Sequence, residues 1–226
     1  MPLLSVIIPV YNEEKTIGQI LKKIEAINID KEIIVVNDAS SDKTAETLNS
    51  LKFSNLKIYT HNINLGKGSA FRTGLKKSCG DIVIIQDADL EYDPGDYYKL
   101  IEPIISNQTD LVLGARFTEG YHGLFAHRLG NRFLTNFLNI LYGSNLNDVY
   151  TCYKAARRGV FNSFKLKSND FALEQEIIAK ALRMRLRIRE IPVAYYPRSY
   201  SQGKKIRYYD GFKVILQMLK LRFQRE

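Results

Sequence analysis

The stretch IVIIQDADLEYDPGD, residues 82–96, changes abruptly from apolar residues to acids. Its first residues are apolar and mostly β-branched, which is typical of a strand buried on both faces of a sheet. Asp87, Asp89, Glu91 and Asp93 then occupy every second position. If this segment is extended, Asp87 and Asp89 lie on one face about 6.6 Å apart. At an effective dielectric constant of about 20, their charges repel each other by about 2.5 kcal/mol.

A divalent cation would offset this repulsion. Oxygen ligands favour Mg²⁺ or Mn²⁺, and a site with few protein ligands leaves coordination positions for the phosphates of a substrate. The sequence therefore predicts a metal held by Asp89 together with Asp87 or Glu91. No pair of cysteines or histidines has the spacing of a zinc site. The three histidines are scattered and are expected to be structural or surface residues (His61, His122 and His127).

Apolar runs alternate with helical patterns on both sides of this stretch. The runs LLSVIIPV, EIIVVN, LKIYTH, DIVIIQ and DLVLGA predict strands, and the segments between them predict helices over 14–27, 42–51, 67–79 and 94–106. Continuous apolar strands that alternate with helices indicate a parallel sheet covered on both faces. The second half is less regular, with predicted helices over 124–142, 171–186 and 212–223. It also has a short strand followed by a turn in NDVYTCYKAARR, and a strand in IREIPVAYYPR.

Three of the predicted strands run into acids, in PVYNEE, NDASSD and QDADLE. Because ligands bind beyond the carboxyl ends of parallel strands, these acids should share one edge of the sheet. Asp42 and Asp93 also have local explanations, as a helix N-cap and as part of a turn. The glycine-rich NLGKGSAFRTG, residues 64–74, has neither the dinucleotide-binding nor the P-loop pattern. It is either a tight turn into a helix or a loop whose Lys67 contacts a diphosphate or a base.

The excess positive charge is confined to the end of the chain. The formal net charge is +9, and residues 183–226 alone hold twelve Lys and Arg against three acidic residues. Such a region predicts an anionic partner, which could be nucleic acid, a phosphorylated ligand or an anionic membrane, or else a solvated basic face. No apolar run is as long as a membrane span, and we expect no signal peptide. Cys79 and Cys152 are expected to be reduced thiols of a cytosolic protein.

Several of these segments together resemble a known family. The motifs VIIPVYNEE, VVNDASSD, NLGKGSAFRTG, QDADLE, DLVLGARF and PRSYSQGKKIRYYDG occur in the order seen in the inverting glycosyltransferases of family 2. The resemblance is greatest to the dolichyl- and polyprenyl-phosphate sugar synthases, of the dolichol-phosphate mannose synthase type, and covers nearly the whole chain. It implies an α/β GT-A nucleotide-sugar-binding fold, whose mostly parallel central sheet has helices on both faces. It also implies one domain, 1–226, with a nucleotide-binding half (1–115) and an acceptor-binding half (116–226).

The resemblance gives roles to individual residues. It implies nucleotide contacts from Pro9, Tyr11, Glu13, Asp38 and Asp87, in addition to the possible contact from Lys67. Asp89 resembles the direct metal ligand, and Glu91, which stands where these synthases often carry Gln, would be a second ligand. Basic residues that would face the acceptor phosphate are Arg116, Arg128 and Arg132. Those that would close over the donor diphosphate and the acceptor phosphate are Arg198, Lys204 and Lys205.

The implied reaction moves a sugar from a nucleoside-diphosphate sugar to a polyprenyl phosphate, with Mg²⁺ or Mn²⁺ as cofactor. The residues expected to take part in catalysis are Asp89, Asp148 and Arg198. A lipid phosphate is already ionised, so Asp148 would position other groups; a sugar hydroxyl as acceptor would need Asp148 as a base. A nucleotidyltransferase is a weaker alternative. A nucleic-acid-binding module is weaker still, because the acidic edge would repel phosphates, and we expect no nucleic acid partner.

The final helical segment bears on the location of the protein. Many relatives carry C-terminal membrane spans. We expect none in this sequence, but residues 212–223 combine apolar residues with Lys213, Lys220 and Arg222. That composition is typical of an interfacial helix on an anionic membrane. A helix packed on its own domain, or a dimer contact, fits the same pattern. We therefore expect a peripheral protein on the cytoplasmic face of a membrane.

Overall fold

The computed structural model describes residues 2–116, 125–170, 172–198 and 210–223, with side chains from residue 129 in the second range and from 215 in the last. A seven-stranded sheet has the order β3-β2-β1-β4-β6-β5-β7. Its strands are β1 (Leu4–Val10), β2 (Lys31–Asn37), β3 (Leu56–Thr60), β4 (Ile82–Ile85), β5 (Leu111–Ala115), β6 (Lys154–Arg157) and β7 (Ile188–Pro192). The helices are α1 (Ile17–Glu25), α2 (Thr44–Ser50), α3 (Lys67–Lys77), α4 (Tyr97–Ile105), α5 (Phe125–Tyr142), α6 (Arg158–Ser163), α7 (Leu173–Arg183) and α8 (Asp210–Phe223).

The apolar runs of the first half form the centre of the sheet. Every residue of β1, β2, β4 and β5 is buried, as expected for strands covered on both faces. The strands β1 to β4 pair in parallel, and β5 pairs in parallel with β7. Only β6 runs antiparallel, between β4 and β5. The predicted α/β architecture with a mostly parallel sheet is therefore confirmed.

Two local predictions were wrong. The segment after the short strand β6 is a helix, α6, where a turn was expected. This helix has only six residues, so its sequence has too few positions to show a helical period. The helices α1 and α7 are also shorter than the predicted ranges 14–27 and 171–186. Such end positions are the least certain part of a pattern-based prediction because helix termini fray.

Glu32, on β2, connects strands and loops away from the acidic segments. Its side chain is buried, with Oε1 accepting hydrogen bonds from Ser5 Oγ at 2.5 Å and Cys79 N at 2.7 Å. Its Oε2 accepts from Lys57 Nζ at 2.8 Å. Burial alone would raise the pKa of Glu32, but the hydrogen bonds from Lys57, Ser5 and Cys79 outweigh it and lower the pKa to about 2. The ionised carboxylate therefore stabilises the fold.

Replacing Glu32→Gln should lower the free energy of unfolding at neutral pH by about 1–3 kcal/mol, because charge-assisted hydrogen bonds are lost. A lowered pKa stabilises the fold above the ordinary value of 4.5, and that contribution disappears as the pH falls toward about 2. The difference between wild type and variant should therefore shrink over this pH range in urea unfolding. Glu102→Gln, at an exposed position of α4, is the matched control. A difference that does not change with pH would contradict the assignment.

Candidate active site

The loops that follow β1 and β2 are joined at one edge of the sheet. Asn12 N donates to Ser40 Oγ at 3.0 Å, and Glu14 N donates to Asp42 Oδ2 at 3.1 Å. Asp42 Oδ1 also accepts from Thr44 N, at the start of α2, at 3.0 Å, but the N-cap residue of this helix is Lys43 and not Asp42 as predicted. The parallel strands thus bring the predicted edge residues together. Of the nucleotide-binding candidates there, Pro9 lies within buried β1 and Tyr11, just beyond it, is 39% exposed.

The acidic stretch after β4 is not extended, contrary to the expectation. The strand ends at Ile85, Ala88 and Asp89 lie in a turn, and Leu90 has a φ of +65°. Asp87 and Asp89 therefore do not share one face of a strand. Asp93 accepts from Gly95 N at 2.9 Å, which is the turn chemistry predicted for it. The turn gives the other acids of the stretch separate partners.

Asp87 is neutralised by a buried lysine. Lys67 Nζ lies 2.8 Å from Asp87 Oδ1 and 2.9 Å from Glu174 Oε1, and Glu174 also pairs with Lys154. Burial opposes the charge of Lys67, yet its pKa is raised well above the ordinary value, chiefly by Asp87. Burial likewise acts to raise the pKa of Asp87, but Lys67 lowers it. The ammonium group expected to touch a diphosphate or base is thus engaged by two carboxylates.

The sequence reasoning missed Glu174 and Lys154. Lys154 is fully buried in β6, and a lysine within the otherwise apolar run CYKAA was the available signal. An isolated buried charge is so costly that such a lysine requires a partner. Glu174, near the start of α7, provided no comparable signal, since acids are common in the first turn of a helix.

The glycine-rich segment forms a close backbone contact. Gly66 has a φ of +89°, a conformation that favours glycine. Gly68 N and Ser69 N donate to Asn169 O at 2.8 and 3.2 Å, and a Cβ at Gly66 or Gly68 would overlap backbone atoms of residues 168–169. The carbonyl of Asn169 thus occupies the N-terminus of α3. This geometry supports the tight-turn interpretation of residues 64–74.

Asp38 organises the loop that leads to this turn. It is only 2% exposed, and its Oδ1 accepts from Leu65 N at 2.9 Å while Oδ2 accepts from Gly66 N at 2.6 Å. His61 Nδ1 lies 2.6 Å from Asp38 Oδ1, and its Nε2 lies 2.9 Å from Thr73 Oγ1. The carboxylate expected to contact a base therefore fixes the loop in this structure. His61 is structural, as predicted, whereas His122 and the side chain of His127 lie outside the described residues.

Arg198 connects the ends of β1 and β4. Its Nη1 donates to Glu13 Oε2 at 3.0 Å, and its Nη2 donates to Asp89 Oδ2 at 3.0 Å. Burial, together with the charges of Asp87 and Glu91, raises the pKa of Asp89 to about 7 despite Arg198. Within the described part of the chain, Arg198 Nε is buried and no acceptor forms a hydrogen bond with it. The edge therefore combines a carboxylate short of positive charge with an arginine that has an unused donor.

Glu91 holds the segment that carries Arg198. Its Oε2 accepts from Tyr195 OH at 2.7 Å, and its Oε1 accepts from Arg198 N at 2.8 Å. Its backbone carbonyl accepts from Tyr196 N at 2.8 Å. Both carboxylate oxygens of the expected second metal ligand are thus engaged in hydrogen bonds within the protein.

The oxygen donors of this edge suit a hard divalent cation, but the predicted ligands are not assembled around one point. Across the described side chains, no three His, Cys, Asp or Glu residues are arranged to hold a metal ion. Asp87 is paired with Lys67 and Glu91 is bound to Tyr195 and Arg198. Asp89 fits a cation that takes one or two protein ligands and completes its coordination with phosphate oxygens.

Arg116 and Asp148 form a second buried ion pair. Arg116 Nε donates to Asp148 Oδ2 and Nη2 donates to Oδ1, both at 2.8 Å. Asn131 Nδ2 adds a bond to Oδ1 at 3.0 Å, and Glu190 accepts from Asp148 N at 2.7 Å. Asp148 has no exposed surface, so this geometry favours its positioning role over that of a base. Glu190, on β7, was missed by the sequence reasoning.

The remaining basic candidates lie on α5 or outside the described residues. Arg132 is exposed on α5. The side chain of Arg128, together with Lys204 and Lys205, lies outside the described residues.

Replacing Asp148→Asn should lower the free energy of unfolding by about 3–5 kcal/mol, because it leaves the Arg116 charge buried without compensation. Asp110→Asn is the matched control, since its ion pair with Arg187 is largely exposed and should contribute at most about 1 kcal/mol. Urea unfolding of both variants measures the difference. A stable Asp148→Asn protein without turnover would indicate instead that Asp148 is a base.

Several known proteins are similar to this chain in sequence. The chain is 30% identical to an uncharacterized protein of Methanocaldococcus jannaschii, over 95% of this chain and 90% of that one. It is 29% identical to the UDP-N-acetylglucosamine–dolichyl-phosphate N-acetylglucosaminyltransferase of Methanococcus voltae, over 97% and 96% of the two chains. The low-salt glycan biosynthesis hexosyltransferase Agl6 of Haloferax volcanii is 29% identical over 96% of this chain, which spans about half (53%) of that protein.

Solved structures show the same fold. Glucosyl-3-phosphoglycerate synthase from Mycobacterium tuberculosis, in complex with Mn²⁺, UDP and phosphoglyceric acid, superposes with a TM-score of 0.76 at 19% identity. The match covers 100% of this chain and 80% of that one. The same synthase with Mg²⁺ and UDP gives a TM-score of 0.74 at 20% identity, over 100% and 81%. This similarity confirms the predicted GT-A fold.

A family model covers most of the chain. The model of glycosyl transferase family 2 matches residues 5–164, which include β1, the acidic stretch after β4 and the Arg116–Asp148 pair. The chain belongs to glycosyl transferase family 2.

Proposed function

We propose that this glycosyltransferase moves a sugar from a nucleoside-diphosphate sugar to a polyprenyl (dolichyl-type) phosphate, with inversion at the anomeric carbon and with Mg²⁺ or Mn²⁺. The observation that carries the proposal is the pair of largely buried arginines, Arg116 and Arg198, beside the carboxyl ends of the strands. A guanidinium is always charged and attracts phosphate oxygens, and Nε of Arg198 forms no hydrogen bond with an acceptor among the described residues. The named acceptor of the Methanococcus voltae relative, dolichyl phosphate, supports the same choice.

On the donor side, Asp89 would hold the metal, with Asp87 close by. A divalent ion bound there supplies Lewis-acid stabilisation to the departing diphosphate. Arg198 adds positive charge at the same point, since its buried Nε forms no hydrogen bond with any acceptor in the described ranges and a phosphate oxygen would provide one. Leaving such a donor unsatisfied costs about 1–3 kcal/mol, which favours an anionic ligand. Lys204 and Lys205 are proposed to join Arg198 on the diphosphate.

On the acceptor side, the hydrogen bonds of Asp148 bear on which nucleophile reacts, a sugar hydroxyl or a lipid phosphate. A sugar hydroxyl would need a base, and Asp148 would have to leave Arg116 and Asn131 to act as one. A lipid phosphate is already ionised at neutral pH and needs no base. The geometry therefore favours a phosphate acceptor, with Arg116 beside it and Arg128 and Arg132 as further contacts. A sugar hydroxyl remains the second candidate, favoured by the glycan-assembly name of the Haloferax volcanii relative.

The C-terminal helix supports attachment to a membrane surface. Among the described residues, no helix is long and apolar enough to cross a bilayer. On α8, Met218 and Leu221 are buried, whereas Leu216 and Phe223 are 56% and 75% exposed. Lys220 and Arg222 on this helix are also exposed. We propose that this face binds the anionic cytoplasmic surface of a membrane, while the buried side packs on the protein itself.

The reaction is tested by incubating the protein with GDP-, UDP- and dTDP-sugars, a short polyprenyl phosphate and Mn²⁺ or Mg²⁺. Mass spectrometry should detect a glycosyl phospholipid that forms only with metal. Asp89→Asn should reduce its formation by at least about a thousandfold, because charge stabilisation in the transition state is lost. Asp93→Asn, in the same acidic stretch, keeps its turn hydrogen bond and should stay near wild type. Turnover retained in Asp89→Asn would remove Asp89 from the site.

The acceptor is identified in the same assay by competition. If the wild type consumes a donor sugar but never loads the lipid, even when no other acceptor is added, the sugar-hydroxyl alternative is favoured. In that case, oligosaccharide acceptors should yield product and polyprenyl phosphate should not inhibit it.

Membrane attachment is tested by sedimentation with vesicles that contain anionic lipid. Replacing Leu216→Ser and Phe223→Ser together should weaken binding by at least about tenfold, since each side chain would lose apolar burial. Wild-type binding should also fall as the salt concentration rises. Ile63→Ser, which changes a 65% exposed apolar residue elsewhere, is the matched control. Equal binding by all three proteins would exclude this face as the membrane contact.

A further inference from the structure

Tyr195 lies between the two arginines of the candidate site. It contacts Arg116 directly, and it is linked to Arg198 through Glu91. Its hydroxyl donates to Glu91 Oε2 at 2.7 Å. Its ring faces the guanidinium of Arg116, with Cζ 5.3 Å from the ring centroid. One side chain therefore bonds a carboxylate at its tip and stacks with a cation on its face.

The hydroxyl acts on Arg198 through Glu91. The other carboxylate oxygen of Glu91 accepts from Arg198 N at 2.8 Å. Tyr195 OH and Arg198 N thus share one carboxylate, and this arrangement fixes the start of the Arg198 side chain. The guanidinium then reaches Glu13 and Asp89. If the hydroxyl is lost, Glu91 loses the bond that orients its carboxylate.

The ring acts on Arg116 directly. Asp148 holds the edge of this guanidinium through two hydrogen bonds of 2.8 Å. The Tyr195 ring covers one of its faces, with Cζ 5.3 Å from the ring centroid. The ring of the almost completely buried Tyr92 is tilted against that of Tyr195, with the two centroids 5.2 Å apart.

We propose that Tyr195 is a positioning residue that couples the donor-side Arg198 to the acceptor-side Arg116. The hydroxyl orients Arg198 through Glu91, and the ring orients Arg116. The inference rests on the proposed function in so far as it assigns the two arginines to the two substrates. It also gives Glu91 a role other than metal coordination.

Two substitutions separate the two halves of this side chain. Tyr195→Phe keeps the ring and removes the hydroxyl, so the KM for the donor should rise about fivefold to tenfold, as for partial loss of a charge-assisted hydrogen bond. The KM for the acceptor should stay within about twofold. Tyr195→Leu removes the ring as well, and should also raise the acceptor KM by about threefold, the size of a cation–π contact. A purely structural residue would not produce this split.

The matched control is Tyr196→Phe. Tyr196 is adjacent in sequence and its side chain is 61% exposed. Its backbone hydrogen bond to Glu91 does not depend on the side chain. Both KM values of this variant should equal those of the wild type.

A measurement without substrates makes the inference independent of the reaction. Hydrogen exchange of the Arg198 amide, followed by NMR, should be about tenfold faster in Tyr195→Phe than in the wild type, and unchanged in Tyr196→Phe. Unchanged exchange in Tyr195→Phe would overturn the link. Faster exchange with an unchanged donor KM would overturn the positioning role. Failure of the proposed function has a different signature: the wild type transfers no sugar to polyprenyl phosphate, yet the exchange effect persists.

Discussion

The ion pairs of Asp87 with Lys67 and of Asp89 with Arg198 are the interactions on which the acidic edge depends. They make it possible for carboxylates to crowd the carboxyl ends of buried strands, where unpaired charges would be very costly. Lys67 begins α3 in the first half of the chain, whereas Arg198, after β7, and Glu174, in α7, come from the second half. The packing of the two halves therefore completes the edge. Part of the countercharge comes from Arg198, which belongs to the basic region of residues 183–226, and part comes from Lys67.

The Asp87–Lys67 and Asp89–Arg198 ion pairs differ in how fully the hydrogen-bonding groups of their cations are used. Lys67 is held between Asp87 and Glu174 and is largely buried, so it behaves as a permanent part of the fold. Arg198 contacts Glu13 and Asp89, and its buried Nε has no hydrogen-bond acceptor among the residues that the structure describes. Asp89 in turn has a raised pKa because burial and the charges of Asp87 and Glu91 outweigh Arg198. The first pair therefore stabilises the edge, whereas the second has the incomplete bonding expected of a site that receives an anionic ligand with its cation.

The sequence was sufficient for the buried strands and for the edge of the sheet at which the acids lie. Apolar runs such as those of β1 and β2 are long and regular, and the rule that ligands bind beyond the carboxyl ends of parallel strands located the acids correctly. The sequence was insufficient to show which side chains bond to each other. Glu91 and Arg198 are 107 positions apart, and no local pattern links them. The turn at Ala88 and Asp89 was also missed, because alternation of acids resembles a strand when the positive φ of Leu90 is unknown.

The geometry of Asp148 carries the argument about the acceptor. Both oxygens of Asp148 accept hydrogen bonds from Arg116, and Oδ1 also accepts one from Asn131, so a role as base would require this ion pair to come apart. A hydroxyl nucleophile would have to be activated against that cost. A phosphate nucleophile carries its charge already, and Arg116, whose Nε and Nη2 bond to Asp148, packs one face of its guanidinium against the ring of Tyr195. Arg116 is thus better suited to orienting an anionic acceptor than Asp148 is to deprotonating a neutral one.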